Sequence, residues 1–209
     1  SAGGGIYCDG TVTVAGTVIT DNVASACDGG YALGGGAYCS ADARVTECTI
    51  GRNAVINCNL ASLGGGVYCA GDSLVEDSTI FDNYVAGSNC DAGGGGGVAF
   101  DWTGTGRLEN CRIIANIAGD NGGGVLCHGS PSIIDCVIAE NYSWSECFGW
   151  NGEGCGGIAG GGWGTYQAQP IIRGSLIARN SGFGCGGIAR CAGLIQDCTI
   201  VENNGYNGG

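Results

Sequence analysis

Residues that favour β-structure fall in short runs of three to six positions, as in residues 11–14 and 132–134, broken by Gly, Asn and Asp. No stretch has the 3.6-residue apolar period of a helix, so the texture predicts short strands joined by tight turns. The runs also recur. A glycine anchor followed by aliphatic residues appears as Gly3-Gly4-Gly5-Ile6-Tyr7-Cys8, Gly34-Gly35-Gly36-Ala37-Tyr38-Cys39 and Gly64-Gly65-Gly66-Val67-Tyr68-Cys69. It continues as Gly95-Gly96-Gly97-Val98, Gly122-Gly123-Gly124-Val125, Cys155-Gly156-Gly157-Ile158 and Cys185-Gly186-Gly187-Ile188. Measured between the last glycines, the spacings are 31, 30, 31, 27, 33 and 30 residues. Inside each repeat lies a second motif, a small residue or Cys, one residue, Ile, two residues and Asn. Its isoleucines are Ile19, Ile50, Ile80, Ile113, Ile138, Ile177 and Ile200, and its asparagines Asn22, Asn53, Asn83, Asn116, Asn141, Asn180 and Asn203.

Repeats of about 30 residues built from short strands predict a solenoid in which each coil pairs with the coils above and below. The expected fold is all-β, a right-handed parallel β-helix of about seven coils. It forms one domain over residues 1–209 without separate caps, with three strands and three bends per coil. At about 4.8 Å per coil the rod is roughly 33 Å long. The isoleucines are expected to stack as a core ladder, and the glycines to permit bends that a Cβ would obstruct. The asparagines are expected at a bend, bonding backbone amides of their own or the next coil. The residues before them, Asp21, Arg52, Asp82, Ala115, Glu140, Arg179 and Glu202, twice place Arg between acids, which suggests an ion-pair ladder. An outward column of Tyr7, Tyr38 and Tyr68 suggests aromatic stacking, with a sugar-binding face as the alternative.

Composition narrows the class. With 46 Gly but only 2 Pro and no G-X-Y period, collagen is excluded, and 44 % hydrophobic against 12 % charged residues is unlike a disordered chain. Seven Arg, no Lys and 19 acidic residues give a net charge of −12, which repels nucleic acid and anionic lipid. No stretch approaches the roughly 18 apolar residues of a membrane span. Fifteen Cys with one His and no regular C-x-x-C pairs suggest disulfides rather than zinc, hence an extracellular or cell-surface setting. The first residues, Ser1-Ala2-Gly3, suit a chain whose export signal has been removed, and equally a segment cut from a longer protein. Stacking brings equivalent cysteines within disulfide reach, which points to Cys155 with Cys185 and Cys27 with Cys58 between coils. Cys39 with Cys48 and Cys127 with Cys136 are candidates within a coil. The alternative is that members of these columns stack as small buried residues. Because fifteen is odd, at least one cysteine is free or bonded to another chain.

The glycine anchor ending in an aliphatic, together with Ile-x-x-Asn, resembles the paired short motifs of polymorphic outer-membrane-type surface repeats. These belong to the right-handed parallel β-helix repeat proteins of the pectin-lyase-like fold, and the resemblance runs from Gly3 to Asn203. It implies the β-helix and leaves activity open, since the fold carries both enzymes and passive stalks. The sequence uses Ile where an aromatic usually precedes the Asn. Lyases and hydrolases of similar fold use a basic proton abstractor beside calcium-holding acids, or paired Asp with a Gly-His-Gly segment. Here Lys is absent, the one His reads Cys127-His128-Gly129, and no Asp-x-Asp-x-Asp calcium loop occurs. Carboxylates such as Asp135 and Glu140 could approach the spacing of a glycosidase pair, but any acidic solenoid offers many such accidental pairs. No catalytic residue, metal or cofactor is assigned, and His128 is expected at the surface or in a turn. The residues after the motif starts are too mixed for an ice-binding face.

Trp144, Phe148, Trp150, Trp163 and Tyr166 gather where the fifth and sixth coils are interrupted, as a glycan platform or a subunit contact. The chain begins on one anchor and approaches another at Asn207-Gly208-Gly209, so a second copy written after it would continue the coil in phase, 27 residues from Gly187 to the next Gly5. The leading expectation is therefore a disulfide-rich structural solenoid whose copies stack head to tail into an extracellular filament. The alternatives are a secreted carbohydrate-binding or polysaccharide-degrading β-helix, and a stalk segment of a larger surface adhesin.

Overall fold

The structure, a computed structural model, describes residues 1–26, 30–57, 61–86, 93–144, 154–161 and 167–206. It is a parallel β-helix of seven coils, with four seven-stranded parallel sheets running the length of the stack. The first sheet follows the glycine anchors, as in Ile6–Cys8 and Val67–Cys69. The second contains Thr13–Ala15 and Leu74–Glu76, and the third carries the isoleucine motif in Val18–Thr20 and Thr79–Phe81. The fourth contains Val23–Ala26 and Tyr84–Val85. Register is one-to-one between coils: Ile6 lies beside Ala37, Ile19 beside Ile50, and Ile50 beside Ile80. Each coil thus has four strands where the sequence suggested three. The difference arises at the Asn, which turns the chain sharply enough that the residues before and after it pair in separate sheets.

Two corners of every coil follow one plan. Between the second and third sheets a single residue takes the left-handed conformation: Gly16, Glu47, Asp77, Asn110, Asp135, Gly174 or Asp197, with φ from 48° to 62°. Between the third and fourth it is Asp21, Arg52, Asp82, Ala115, Glu140, Arg179 or Glu202, with φ from 51° to 61°. This conformation costs a residue other than Gly about 1–2 kcal/mol. In each case the next residue is small and polar and satisfies the backbone that the corner leaves unpaired. At the earlier corner Ser78 Oγ donates to the Glu76 carbonyl at 2.7 Å, and Cys48, Cys111, Cys136 and Cys198 donate through Sγ to the carbonyls two residues before them at 3.1–3.2 Å. Ser78 Oγ also accepts the Cys48 amide at 3.0 Å, as Ser175 Oγ accepts that of Cys136 at 3.1 Å.

At the later corner stands the asparagine ladder. The Asn83 backbone N–H and Nδ2 both donate to Asn116 Oδ1, at 3.0 and 2.9 Å, while Asn116 Nδ2 donates back to the Ile80 carbonyl at 3.0 Å and onward to Asn141 Oδ1 at 3.0 Å. The same set links Asn53 to Asn83 and Asn141 to Asn180, and the chain of bonds runs from Asn22 to Asn203. The side chains point inward: Asn53, Asn83, Asn116, Asn141 and Asn180 are buried. Their partners are the backbone amide at the neighbouring coil's bend, as the sequence suggested, together with one another and a carbonyl of that coil.

The main core lies inside the coil. Ile50, Ile80, Ile113, Ile138 and Ile177 are fully buried, facing Val45, Val75, Leu108, Ile133 and Ile172 of the second sheet and Val67, Val98, Val125 and Ile158 of the first. The anchors are glycine for two reasons. Gly34 has φ 64°, and a Cβ on Gly36 would sit 2.7 Å from the Gly66 carbonyl oxygen and 2.9 Å from Asn53 Nδ2, so the strand can pass the asparagine ladder only without a side chain.

Asn116→Ala is expected to lower stability by about 2–4 kcal/mol, because it leaves the Asn83 N–H and the Ile80 carbonyl buried without partners. Asn22→Ala, in the first coil, is expected to cost about 1 kcal/mol or less. Thermal unfolding of the two variants by circular dichroism compares them; equal shifts would show that the ladder does not carry the stack.

Candidate functional site

The feature that departs most from the interior pattern is the outer side of the last coil. Ile172 and Ile177 are fully buried, whereas their column neighbours Ile195 and Ile200 are 43 % and 50 % exposed. With Ile188, Cys191 and Asn203 they line a hollow of about 310 Å³ that opens along the stack. These residues are core by type, and in any earlier coil another coil would cover them.

The ladder is open there in a specific way. Asn203 Oδ1 accepts from Asn180 and its Nδ2 donates to the Ile177 carbonyl, but no described residue accepts its backbone N–H or reaches the Ile200 carbonyl as Asn203 reaches that of Ile177. On the first coil the converse holds. Asn22 donates its N–H and one Nδ2 hydrogen to Asn53 Oδ1, while its own Oδ1 has no donor among the described residues. One face presents a donor and a carbonyl, and the other an acceptor and an amide hydrogen.

The charged column forms the expected ladder on the outside. Arg52 grips Asp21 through Nε and a terminal nitrogen at 2.9 and 2.8 Å, and Arg179 does the same to Glu140 at 3.1 and 2.9 Å while approaching Glu202 at 3.9 Å. The Arg52 hydrogen bond holds the Asp21 carboxyl below its ordinary pKa. All of these groups are exposed, so solvent screens the pairs and they add little to stability. Asp135 and Glu140 occupy successive left-handed corners of one coil, and Glu140 is engaged by Arg179.

Tyr7, Tyr38 and Tyr68 stack with ring centroids 4.9 and 5.4 Å apart and planes within 18°. The column is outward only at its start. Tyr7 is 57 % exposed, but Tyr68 is buried beside Leu63, Ala99 and Leu126 and donates its hydroxyl to Asp101 Oδ1 at 3.1 Å. The covering layer comes from the residues just before the anchors, where Ala32–Leu33 pairs with Ser62–Leu63 as a small outer sheet. Of the proposed aromatic platform, Trp144 is described and partly exposed, while Phe148, Trp150, Trp163 and Tyr166 lie outside the described residues.

Eleven cysteines are described, all as free thiols, while Cys27 and Cys58 lie outside the described residues. Cys155 and Cys185 are brought into register on adjacent coils, as the columns suggested, and their thiols donate to the Ile158 and Ile188 carbonyls at 3.2 Å. The within-coil pairings need correcting. Cys39 lies in register with Cys8 and Cys69 on the adjacent coils, while Cys48 turns to the Thr46 and Val14 carbonyls; Cys136 stands beside Cys111 of the neighbouring coil, next to the paired Arg112 and Val137. Burial pushes the Cys69 thiol up to about 12.

His128 sits in a bend, one of the two places expected of it, but away from the surface. It is 4 % exposed and stacks on Trp102 with centroids 3.9 Å apart and planes at 7°; its Nδ1 has no hydrogen-bond partner among the described residues. The corner after the fifth first-sheet strand turns it inward against Gly161, where a Cβ would meet the ring. Burial lowers its pKa to about 4, against a smaller upward pull from Asp101.

No protein-family model, no curated protein and no solved structure matches the chain.

The His128 shift has a pH consequence. The unfolded chain takes up a proton near pH 6.5 that the folded chain takes up only near 4, so stability is full above 6.5 and falls as pH drops toward 4. The loss attributable to this group is on the order of 2–4 kcal/mol. His128→Phe, which keeps a ring against Trp102, is expected to flatten that fall. Thermal midpoints of both proteins between pH 7.5 and 4 measure it, and parallel curves would contradict it.

Proposed function

We propose that the protein is a structural β-solenoid unit that stacks head to tail with further copies of itself into an extracellular filament. The observation that carries this reading is the donor–acceptor match between the two faces of the coil stack. Asn203 N–H and the Ile200 carbonyl on one face require the Oδ1 and Nδ2 that Asn22 offers on the other, the relation already made between every pair of adjacent coils. The apolar hollow of Ile188, Ile195 and Ile200 adds a driving force. Completing the burial of a half-exposed Ile contributes roughly 1 kcal/mol. Strand pairing along four sheets at once would fix the register, as in other cases of β-augmentation. A repeated head-to-tail contact that does not close gives a fibre. The acidic, cysteine-rich and lysine-free composition suits a setting outside the cell.

Negative-stain electron microscopy and sedimentation of the purified chain over a range of concentrations test this. The expected result is rods that lengthen with concentration. Ile200→Asp places a charge in the hollow and is expected to abolish lengthening while leaving the circular dichroism spectrum intact; mixed with the wild-type chain it shortens the rods by blocking one end. Compact monomers of the wild-type chain at high concentration would overturn the reading.

A further inference from the structure

We infer that the cysteines are placed to form disulfides along the axis of the stack, joining adjacent coils at Cys8–Cys39, Cys111–Cys136 and Cys155–Cys185. Register selects these pairs. Cys8 lies directly beside Cys39, Cys155 bridges Cys185, and Cys111 and Cys136 each precede the paired residues Arg112 and Val137 by one position. In-register neighbours on parallel strands have Cα atoms about 4.7–4.9 Å apart, within the roughly 4.4–6.8 Å range that a disulfide spans. In-register residues of parallel strands project from the same face of the sheet, so in each pair the two side chains leave adjacent coils side by side.

The remaining columns separate the other cysteines. Cys127 has Phe100 and Gly160 as its column neighbours, and Cys48 stands between Thr17 and Ser78. Cys198 adjoins Ser175. Cys69 is also in register with Cys39, but Cys39 can take one partner and interacts more strongly with Cys8 than with Cys69, so the assignment leaves Cys69 reduced.

The reaction needs an oxidant, and a low-molecular-weight disulfide such as oxidised glutathione supplies one. One cysteine thiolate attacks it and releases a glutathione thiolate; the neighbouring thiolate then attacks the mixed disulfide and releases the second. Two protein thiols and one oxidised glutathione become one protein disulfide and two reduced glutathiones. Cys8, Cys111 and Cys155 are buried, so exchange belongs to the period when the coils are still winding, and the finished bonds are sheltered from reductant.

The full-length chain, refolded from the reduced and denatured state in a glutathione redox buffer, then alkylated and digested with pepsin without reductant, gives the test by mass spectrometry. The expected result is three linked peptide pairs at the named positions, each separated by reduction with gain of two hydrogens, and an alkylated Cys69. Full alkylation of the six cysteines, or links at Cys39–Cys48 and Cys127–Cys136, would overturn the assignment. Cys136→Ser provides a control that folds, since Ser78 and Ser175 already occupy its column with the same hydrogen bond. In it Cys111 is expected to become alkylated while the other two links remain; a Cys111 that stays linked would also overturn the assignment.

Discussion

The buried asparagine ladder is the constraint on which the coil depends. An amide side chain inside a protein is costly unless all its hydrogen bonds are made, and here each interior Asn makes them by stitching one coil to the next. The Oδ1 of each takes two donors from the coil before, and the Nδ2 serves a carbonyl behind and an amide ahead. This fixes the vertical alignment residue by residue. A slip of one position in any strand would break the ladder at that level and turn the Ile column out of the core. The glycines follow from the same demand, since the anchor passes so close to the ladder that a Cβ on Gly36 would collide with Asn53.

The two left-handed corners show how local strain is offset within a repeat. Glu47, Arg52 and Glu140 are poor choices for φ near +55° on intrinsic grounds. Each is followed by an inward polar side chain that completes the corner's hydrogen bonds, and the later corner's outward groups pair across coils as Arg52 does with Asp21. Strain and buried amide thus occupy two successive residues once per coil, and an exposed ion pair joins them where an Arg stands in the column.

The period, the Ile column and the charged column could be read from the sequence because each depends only on one residue type recurring in one place. The direction of the Asn side chains could not. Asn at a turn ordinarily faces water, and nothing in a single repeat shows that seven of them can satisfy one another inside. The column of Thr17, Cys48, Ser78, Cys111, Cys136, Ser175 and Cys198 suggested cross-links through its cysteines, of which only Cys111 and Cys136 stand side by side. Its common chemistry is a small side chain with one hydrogen to donate, and the presence of Ser and Thr among the Cys was the available signal. The left-handed corners were legible in the earlier column, where Gly, Asp and Asn dominate, but not in the later one with its Arg and Glu. The burial of Tyr68 and His128 depends on Leu63 and Gly161, which belong to no repeated motif, so no periodic argument could have located them.

Every rung of the ladder points the same way, from the amide of one coil to the carbonyl oxygen of the next coil's side chain. The two faces of the stack are therefore chemically unlike. Two copies related by a two-fold axis would bring donor against donor, or acceptor against acceptor, and the strands would meet antiparallel instead of parallel. A symmetric dimer cannot use this surface. Whatever coil lies against either face must keep the same heading, so any assembly that the ladder extends has polarity, with one end that can receive the Asn22 side and another that can receive the Asn203 side.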